Sequence, residues 1–192
     1  KMPLTIYSAD GQIIGVYGEQ RREFTKINDF PDILKNAVIA AEDKRFYEHW
    51  GVDVWGIARA AISNIVAGGV QSGASTITQQ VAKNFYLSSE RTFTRKFNEA
   101  LLAYKIEQSL SKDKILELYF NQIYFGQRAY GFASAAQIYF NKNVKDLTLA
   151  EAAMLAGLPK APSAYNPIVN PERAKLRQTY ILNNMLEEGM IT

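Results

Sequence analysis

The stretch PDILKNAVIAAEDKRFYEHWGVDVWGIARAAISNIVAGG, residues 31 to 69, decides how the chain reads. After Pro31, the residues Ile33, Leu34, Ala37, Val38 and Ala41 recur at the spacing of one helix face, and the pattern runs directly into Glu42. Glu42 is thereby placed at or near a helix C-terminus. From Asp53, a plausible cap, Val54, Ile57, Ala58, Ala61, Ile62, Ile65 and Val66 repeat the same period until Gly68-Gly69 ends it, which predicts a buried core helix. Between the two helices, EDKRFYEHWG at 42 to 51 sets two adjacent carboxylates beside Phe46, Tyr47 and Trp50. Desolvation by such aromatics raises the pKa of one carboxylate toward the range of a general base, while its neighbour stays solvated.

Upstream, residues 4 to 17 alternate apolar and polar side chains around Asp10-Gly11, the signature of a short β-hairpin. Downstream the signals are helical. Thr76 and Gln79 have capping-box spacing, Phe93, Phe97, Leu101 and Tyr104 form an apolar stripe, and Ser111 caps a helix whose Ile115, Leu116, Tyr119 and Ile123 face inward until Gly126. Thr148 with Glu151 makes a second capping box for a helix stopped by Gly157 and Pro159. Asn170-Pro171 begins the last helix, with Tyr180, Leu182, Met185 and Leu186 as core positions and Gly189 as its end. The fold class is therefore mainly α with a short N-terminal hairpin. The only separable part is the segment before about residue 30, which divides the chain into 1 to 30 and 31 to 192. No dinucleotide or phosphate-loop motif and no Asp-x-Asp pair appears, so a Rossmann-type transferase is not expected.

The 192 residues carry a net charge of +3, too little to imply nucleic acid as a partner. Residues 73 to 112 hold the whole surplus: Lys83, Arg91, Arg95, Lys96, Lys105 and Lys112 stand against Glu90, Glu99 and Glu107. With no cysteine and a single histidine, His49, neither a disulfide framework nor a zinc site can form. No apolar run approaches the ~18 residues of a membrane span, and the start KMPLTIYS is not a signal peptide.

Two further segments carry chemistry. In SGASTITQQVAKN, capping explains Thr76 and Gln79 but leaves Gln80, Lys83 and Asn84 without a task; a helix N-terminus with an adjacent lysine attracts anions. In RTFTRKFNEA, an ion pair from Glu99 to Lys96 or Arg95 does not account for three cations on two turns, whereas a pyrophosphate would.

EDKRFYEHWG, GASTITQQ at 73 to 80, RKFNE at 95 to 99 and KDKILELYFN at 112 to 121 resemble, in this order, the peptidoglycan glycosyltransferase domain of class A penicillin-binding proteins and their monofunctional relatives. AYGFASAAQIYF, LAEAAMLAGLPKAPSAYNP and EEGMIT extend the resemblance over nearly the whole chain. It implies a lysozyme-like, two-lobed helical domain whose smaller lobe dips into the membrane, at the extracytoplasmic face of a bacterial cytoplasmic membrane. It also implies a substrate pair, lipid II and the growing lipid-linked glycan strand, joined with inversion and release of polyprenyl pyrophosphate. By the same resemblance Glu42 is the general base and Glu99 the second glutamate, which orients the basic residues or helps hold a divalent cation at the pyrophosphate. Asp43 would tune Glu42 or contact such a cation, while Lys83, Arg91, Arg95 and Lys96 would neutralise the pyrophosphate. Ser75, Thr76, Gln79, Gln80, Asn84 and Asn121 would position sugar and phosphate groups.

No cofactor is required by the sequence itself. Family members carry an N-terminal membrane helix, which is expected outside these residues; the bifunctional ones continue into a C-terminal transpeptidase domain, and the sequence leaves open which kind the parent protein is. A lytic glycoside hydrolase with the same glutamate is the competing reading, but it leaves the basic cluster unexplained, since hydrolysis between sugars has no anionic leaving group. A catalytically idle scaffold for lipid-linked precursor is the other. The segment NFYLSSERTF, 84 to 93, lacks either periodicity and is expected to be a mobile cover near the lipid headgroups.

Overall fold

A computed structural model describes residues 4 to 7, 13 to 17, 24 to 67, 75 to 86 and 92 to 192. Leu4–Tyr7 (β1) and Ile13–Tyr17 (β2) pair antiparallel, Leu4 opposite Tyr17. The expected Asp10-Gly11 turn lies outside the described residues. Among the described residues every later element is helical, apart from an isolated antiparallel bridge between Tyr124 and Tyr130: α1 Asp32–Glu42, α2 Val54–Ala67, α3 Ile77–Lys83, α4 Phe93–Ser109, α5 Lys112–Gln122, α6 Phe132–Phe140, α7 Leu149–Ala156 and α8 Pro171–Glu187, with single 3-10 turns at Ile27–Asp29 and Val144–Asp146.

The helices start where their side chains can satisfy free backbone N–H groups. Thr76 and Thr148 each complete a capping box, with Gln79 and Glu151, and Thr92 and Ser111 each accept from the backbone three residues on. Caps of this kind are worth about 1 kcal/mol each. Helix α6 was not resolved as an element by periodicity. It begins at Gly131, whose φ of +80° and 2.8 Å approach of a notional Cβ to the Asn121 carbonyl exclude a side chain.

One core holds these helices together. Helix α1 lies against α7 and α8, α3 against α4 and α5, and α5 against the first 3-10 turn. Leu34, Ala37 and Val38 from α1, Ile77 and Val81 from α3, Ile115, Leu116 and Tyr119 from α5, Leu155 from α7 and Ile181 from α8 are all buried within it. Residues 24 to 30 dock onto α5. Thr25 N–H donates to Asn121 Oδ1 (2.7 Å), Asn121 Nδ2 returns to the Thr25 carbonyl (2.8 Å), and Ile27 N–H donates to Glu117 Oε2 (2.9 Å).

Three expectations are corrected by this packing. Helix α2 is not a buried core helix: among its described side chains Ala60 alone is buried, while Val66 is 83% and Ile65 80% exposed, because no other described element packs closely against its apolar face. The α4 stripe is likewise turned outward, Phe93 being 96% exposed, and that helix buries Glu99, Ala103 and Ile106 instead. In α8 the inward face is Ala174, Arg177, Ile181, Asn184 and Met185; Tyr180 and Leu186 are exposed and Leu182 only half-buried, leaving Met185 as the one correctly placed core residue. The phase slipped because two polar residues occupy core positions. Asn184 does so by donating to the Ala40 carbonyl (3.2 Å), the end of α1. Accordingly Ile181→Ala should cost about 2–5 kcal/mol in urea unfolding, whereas Leu186→Ala should cost well under half of that.

Candidate active site

Helix α1 ends at Glu42, and the next residue leaves the helix with φ −160°. The two adjacent carboxylates then turn to different surroundings. Asp43 points inward, where its Oδ2 accepts from the Ile77 backbone N–H (3.1 Å), the first residue of α3, and lies 2.6 Å from His49 Nε2. Gly51 N–H donates to His49 Nδ1 (3.0 Å), so Nδ1 is an acceptor and the ring hydrogen sits on Nε2, donating to Asp43. Lys112 Nζ donates to the His49 carbonyl and to Glu107 Oε1 (both 2.6 Å), and Thr78 Oγ1 donates to the same Glu107 oxygen (2.7 Å). Thr76 Oγ1 closes the ring of contacts on the Gly51 carbonyl (2.7 Å).

Asp43 is therefore not the solvated neighbour expected of it, nor is Glu42 desolvated by the aromatics of the motif. Phe46 is buried in the core, with Lys112 Nζ 4.8 Å from its ring centre, while Tyr47 and Trp50 are exposed. Glu42 is enclosed by other elements. Its Oε2 accepts from Gln80 Nε2 in a long contact of 3.4 Å, and its Oε1 lies 3.7 Å from Arg177 Nη2. Burial pushes its pKa above the usual carboxylate value, opposed first by Arg177, then by the Gln80 hydrogen bond and by Lys160, while Asp43 adds to the rise.

Glu42 stands where two cavities meet. One, of about 430 Å³, is lined by Glu42, Asp43, Lys44, Asp53, Arg59, Ser75 and Thr76 among others. The second, of about 330 Å³, gathers Ser75, Gln79, Gln80, Lys83, Lys96, Glu99, Lys160, Arg177 and Tyr180. Lys96 Nζ donates to Ser75 Oγ (3.2 Å) and stands 3.7 Å from Glu99, whose carboxylate is buried. The fold thus brings together nine of the thirteen residues singled out in the sequence: Glu42, Asp43, Ser75, Thr76, Gln79, Gln80, Lys83, Lys96 and Glu99 line the cavities, whereas Arg95 lines neither and stacks 4.0 Å over the Tyr86 ring. Asn84 is the exposed C-cap of α3 and lines neither cavity. Asn121 is occupied by Thr25 and lies on the far face of α5. Arg91, with residues 87 to 90 of the expected cover segment, falls outside the described residues.

Among the described residues no cluster of carboxylate and imidazole side chains is gathered for a divalent cation. Asp43 is taken up by His49 and Ile77, Glu99 faces Lys96, and among the described residues no group of three or more His, Asp or Glu side chains approaches a common point. Sequence reasoning missed Lys44, Arg59, Lys160, Arg177 and Tyr180. For Arg177 a signal existed: it is a cation at a core position of an apolar helix face.

The pattern of a transglycosylase family model matches residues 10 to 186. The chain belongs to the transglycosylase family. It is 91% identical over its full length to penicillin-binding protein 1A of Neisseria flavescens and 90% to that of Neisseria gonorrhoeae, in each case covering 24% of the relative. It is 53% identical over 191 residues to penicillin-binding protein 1A of Pseudomonas aeruginosa. A crystal structure of penicillin-binding protein 1A from Haemophilus influenzae covers the whole chain with a TM-score of 0.54 at 32% identity, the chain spanning 19% of that protein. The chain spans about a quarter of the length of the curated relatives it matches. The enzyme class that follows is peptidoglycan glycosyltransferase, on the mainly helical, lysozyme-like domain expected.

Gly51 is the test of how the site is held. At φ +118°, a notional Cβ would stand 3.0 Å from the Ala103 carbonyl carbon and the Tyr104 nitrogen of α4. Gly51→Ala should destabilise the fold by about 2 kcal/mol or more and abolish activity with it, as followed by thermal melting and turnover on the same preparation.

Proposed function

We propose that the cleft polymerises lipid II into β-1,4 glycan strands, with Glu42 as general base. The observation that carries this reading is the place of one buried carboxylate at the junction of two cavities, each with cationic side chains. A two-substrate reaction needs that arrangement. The growing lipid-linked strand is assigned to the cavity of Lys83, Lys96 and Lys160, where positive charge meets the departing pyrophosphate, and the incoming lipid II to the cavity of Lys44 and Arg59.

As the acceptor 4-hydroxyl oxygen bonds to the donor anomeric carbon, its proton passes to Glu42. The bond from that carbon to phosphate breaks, and the electron pair leaves on polyprenyl pyrophosphate. Attack opposite the leaving group inverts α to β. Glu99 holds Lys96 in place from beneath, and Ser75 fixes it from the side. No step is assigned to a metal; a cation would enter only with the pyrophosphate it accompanies. The outward apolar faces of α2 and α4 suit the surface of the cytoplasmic membrane on its extracytoplasmic side, where lipid-linked substrates lie. No helix among the described residues is long and apolar enough to cross a membrane, so contact would be lateral.

Glu42→Gln should abolish polymerisation of lipid II while the melting temperature stays level or rises. The sign follows from linkage: a carboxylate whose pKa is raised by folding favours the folded state when protonated, and that stability is lost as pH rises through the folded pKa, so a neutral isostere relieves it at pH 7. An active Glu42→Gln enzyme would remove the base and leave the scaffold reading. Lys96→Ala should slow turnover by about tenfold or more without unfolding, and wild-type rates would move the pyrophosphate elsewhere. For the membrane surface, Phe93→Ser combined with Val66→Ser should weaken sedimentation with liposomes severalfold at unchanged melting temperature.

A further inference from the structure

Two buried side-chain atoms in the cleft wall have no hydrogen-bond partner among the described residues, and they belong to residues that face each other: Glu42 Oε1 and Arg177 Nε. The 3.7 Å between Oε1 and Arg177 Nη2 is within reach of charge attraction but beyond a hydrogen bond. Arg177 cannot easily leave this position. It is 9% exposed, its stem lies over Gly157 so closely that a Cβ there would stand 2.7 Å from Arg177 Cγ, and its guanidinium is 4.9 Å from the Tyr180 ring and 5.7 Å from that of Tyr165. A planar cation wedged in this way acts as a fixed charge.

The other oxygen of Glu42 has different company. Tyr119, fully buried, donates from its hydroxyl to Gln80 Oε1 (3.4 Å), which turns the Gln80 amide nitrogen toward Glu42 Oε2. Oε1 is thus sealed against a cation, and Oε2 meets only a neutral amide over a long contact.

We propose that Arg177 is the positioning residue of the base: it anchors Glu42 through Oε1, fixes the carboxylate plane, and leaves Oε2 as the oxygen that receives the proton of the acceptor hydroxyl. The proposal rests on Glu42 being the base. Arg177 does not touch substrate in this role.

The charged and titratable groups facing Glu42 are Arg177 on α8, Lys160 beyond α7, Asp43 at the end of α1 and Tyr119 on α5; α3 contributes the neutral Gln80. Burial favours the protonated carboxyl, and Arg177 is the largest influence against it. Without Arg177 the carboxylate should protonate at higher pH, so the acid side of the rate profile should move upward. A residue that merely fills space between α7 and α8 would lower the melting temperature and leave that profile where it was.

The experiment is the pH dependence of lipid II polymerisation by the full chain for wild type, Arg177→Met, Arg177→Lys and Glu42→Gln. Arg177→Met is expected to lower kcat at pH 7 by about tenfold, with KM changed less than about twofold and much of the loss recovered toward pH 9. Arg177→Lys, which keeps a charge but not the planar fork, should keep the acid limb near its wild-type position. A uniform fall in kcat at every pH, or an acid limb that does not move, overturns the proposal. Full activity in Glu42→Gln instead overturns the general-base reading itself, so the two failures are distinct. Should Arg177→Met fold poorly, thermal melts of the double variant Glu42→Gln with Arg177→Met decide: the cost of losing Arg177 should shrink once the carboxylate is neutral, and an equal cost in both backgrounds would make Arg177 a packing residue only.

Discussion

Leaving α1 at Glu42 obliges the chain to bury a second carboxylate immediately, and the rest of the site depends on how Asp43 is compensated. A buried carboxylate without partners costs several kcal/mol. Here it receives an N–H from the start of α3 and the Nε2–H of His49. Those two bonds fix the end of α1 to the beginning of α3. They also determine where His49 lies, and through its carbonyl and Nδ1 they determine Lys112, Gly51 and the approach of α4. His49, the single histidine, is thus a structural ligand of Asp43 and lines neither cavity. Its tautomer is set by the Gly51 N–H, which leaves the ring no free nitrogen for proton transfer.

Local chemistry was legible in the sequence, and environment was not. The two capping boxes at Thr76 and Thr148 concern side chains and backbone three residues apart, so the sequence contains both partners. Glu42 at the end of α1 and the gathering of Ser75, Gln79, Gln80, Lys83, Lys96 and Glu99 beside it follow from short-range order and from family motifs alike. Asn121 was misplaced because its partner, Thr25, lies 96 residues upstream, and no spacing rule reaches that far. Helices α2 and α4 failed for another reason. Helical periodicity reports that one face is apolar; it does not report what covers that face.

That second failure carries information. In α8 a polar residue on the inward face misled the phase, yet both polar residues there have specific work, Asn184 on the Ala40 carbonyl and Arg177 beside Glu42. In α2 and α4 the phase was correct and the burial wrong, and Val54, Ile62, Ile65, Val66, Phe93 and Phe97 remain exposed. An apolar surface of this kind gains free energy by contact with a second apolar surface. The polar cleft and the apolar exterior share the short connection from α1 to α2, so the reaction centre and the exposed faces are separated by one loop.

A base that serves a pyrophosphate-releasing reaction faces opposed electrostatic demands. Cations that stabilise the leaving group also stabilise the ionised carboxylate, which weakens it as a proton acceptor; each pKa unit lost is about 1.4 kcal/mol of basicity. Under the proposed mechanism, the arrangement here keeps the two demands apart. Lys96 is solvated, with its side chain 62% exposed, and is held by Ser75 and Glu99, while the side chain of Glu42 is 10% exposed. The groups that shift Glu42 are its own burial, Arg177, Gln80, Lys160 and Asp43; Lys83 and Lys96 are not among them. Burial wins over Arg177, so the carboxyl stays raised, and this nearest cation is fixed by Tyr165, Tyr180 and Gly157, where it could not follow a departing phosphate. In the proposed mechanism, solvated lysines for the leaving group and one immobile arginine for the base divide the charge so that both functions can occupy a single cleft.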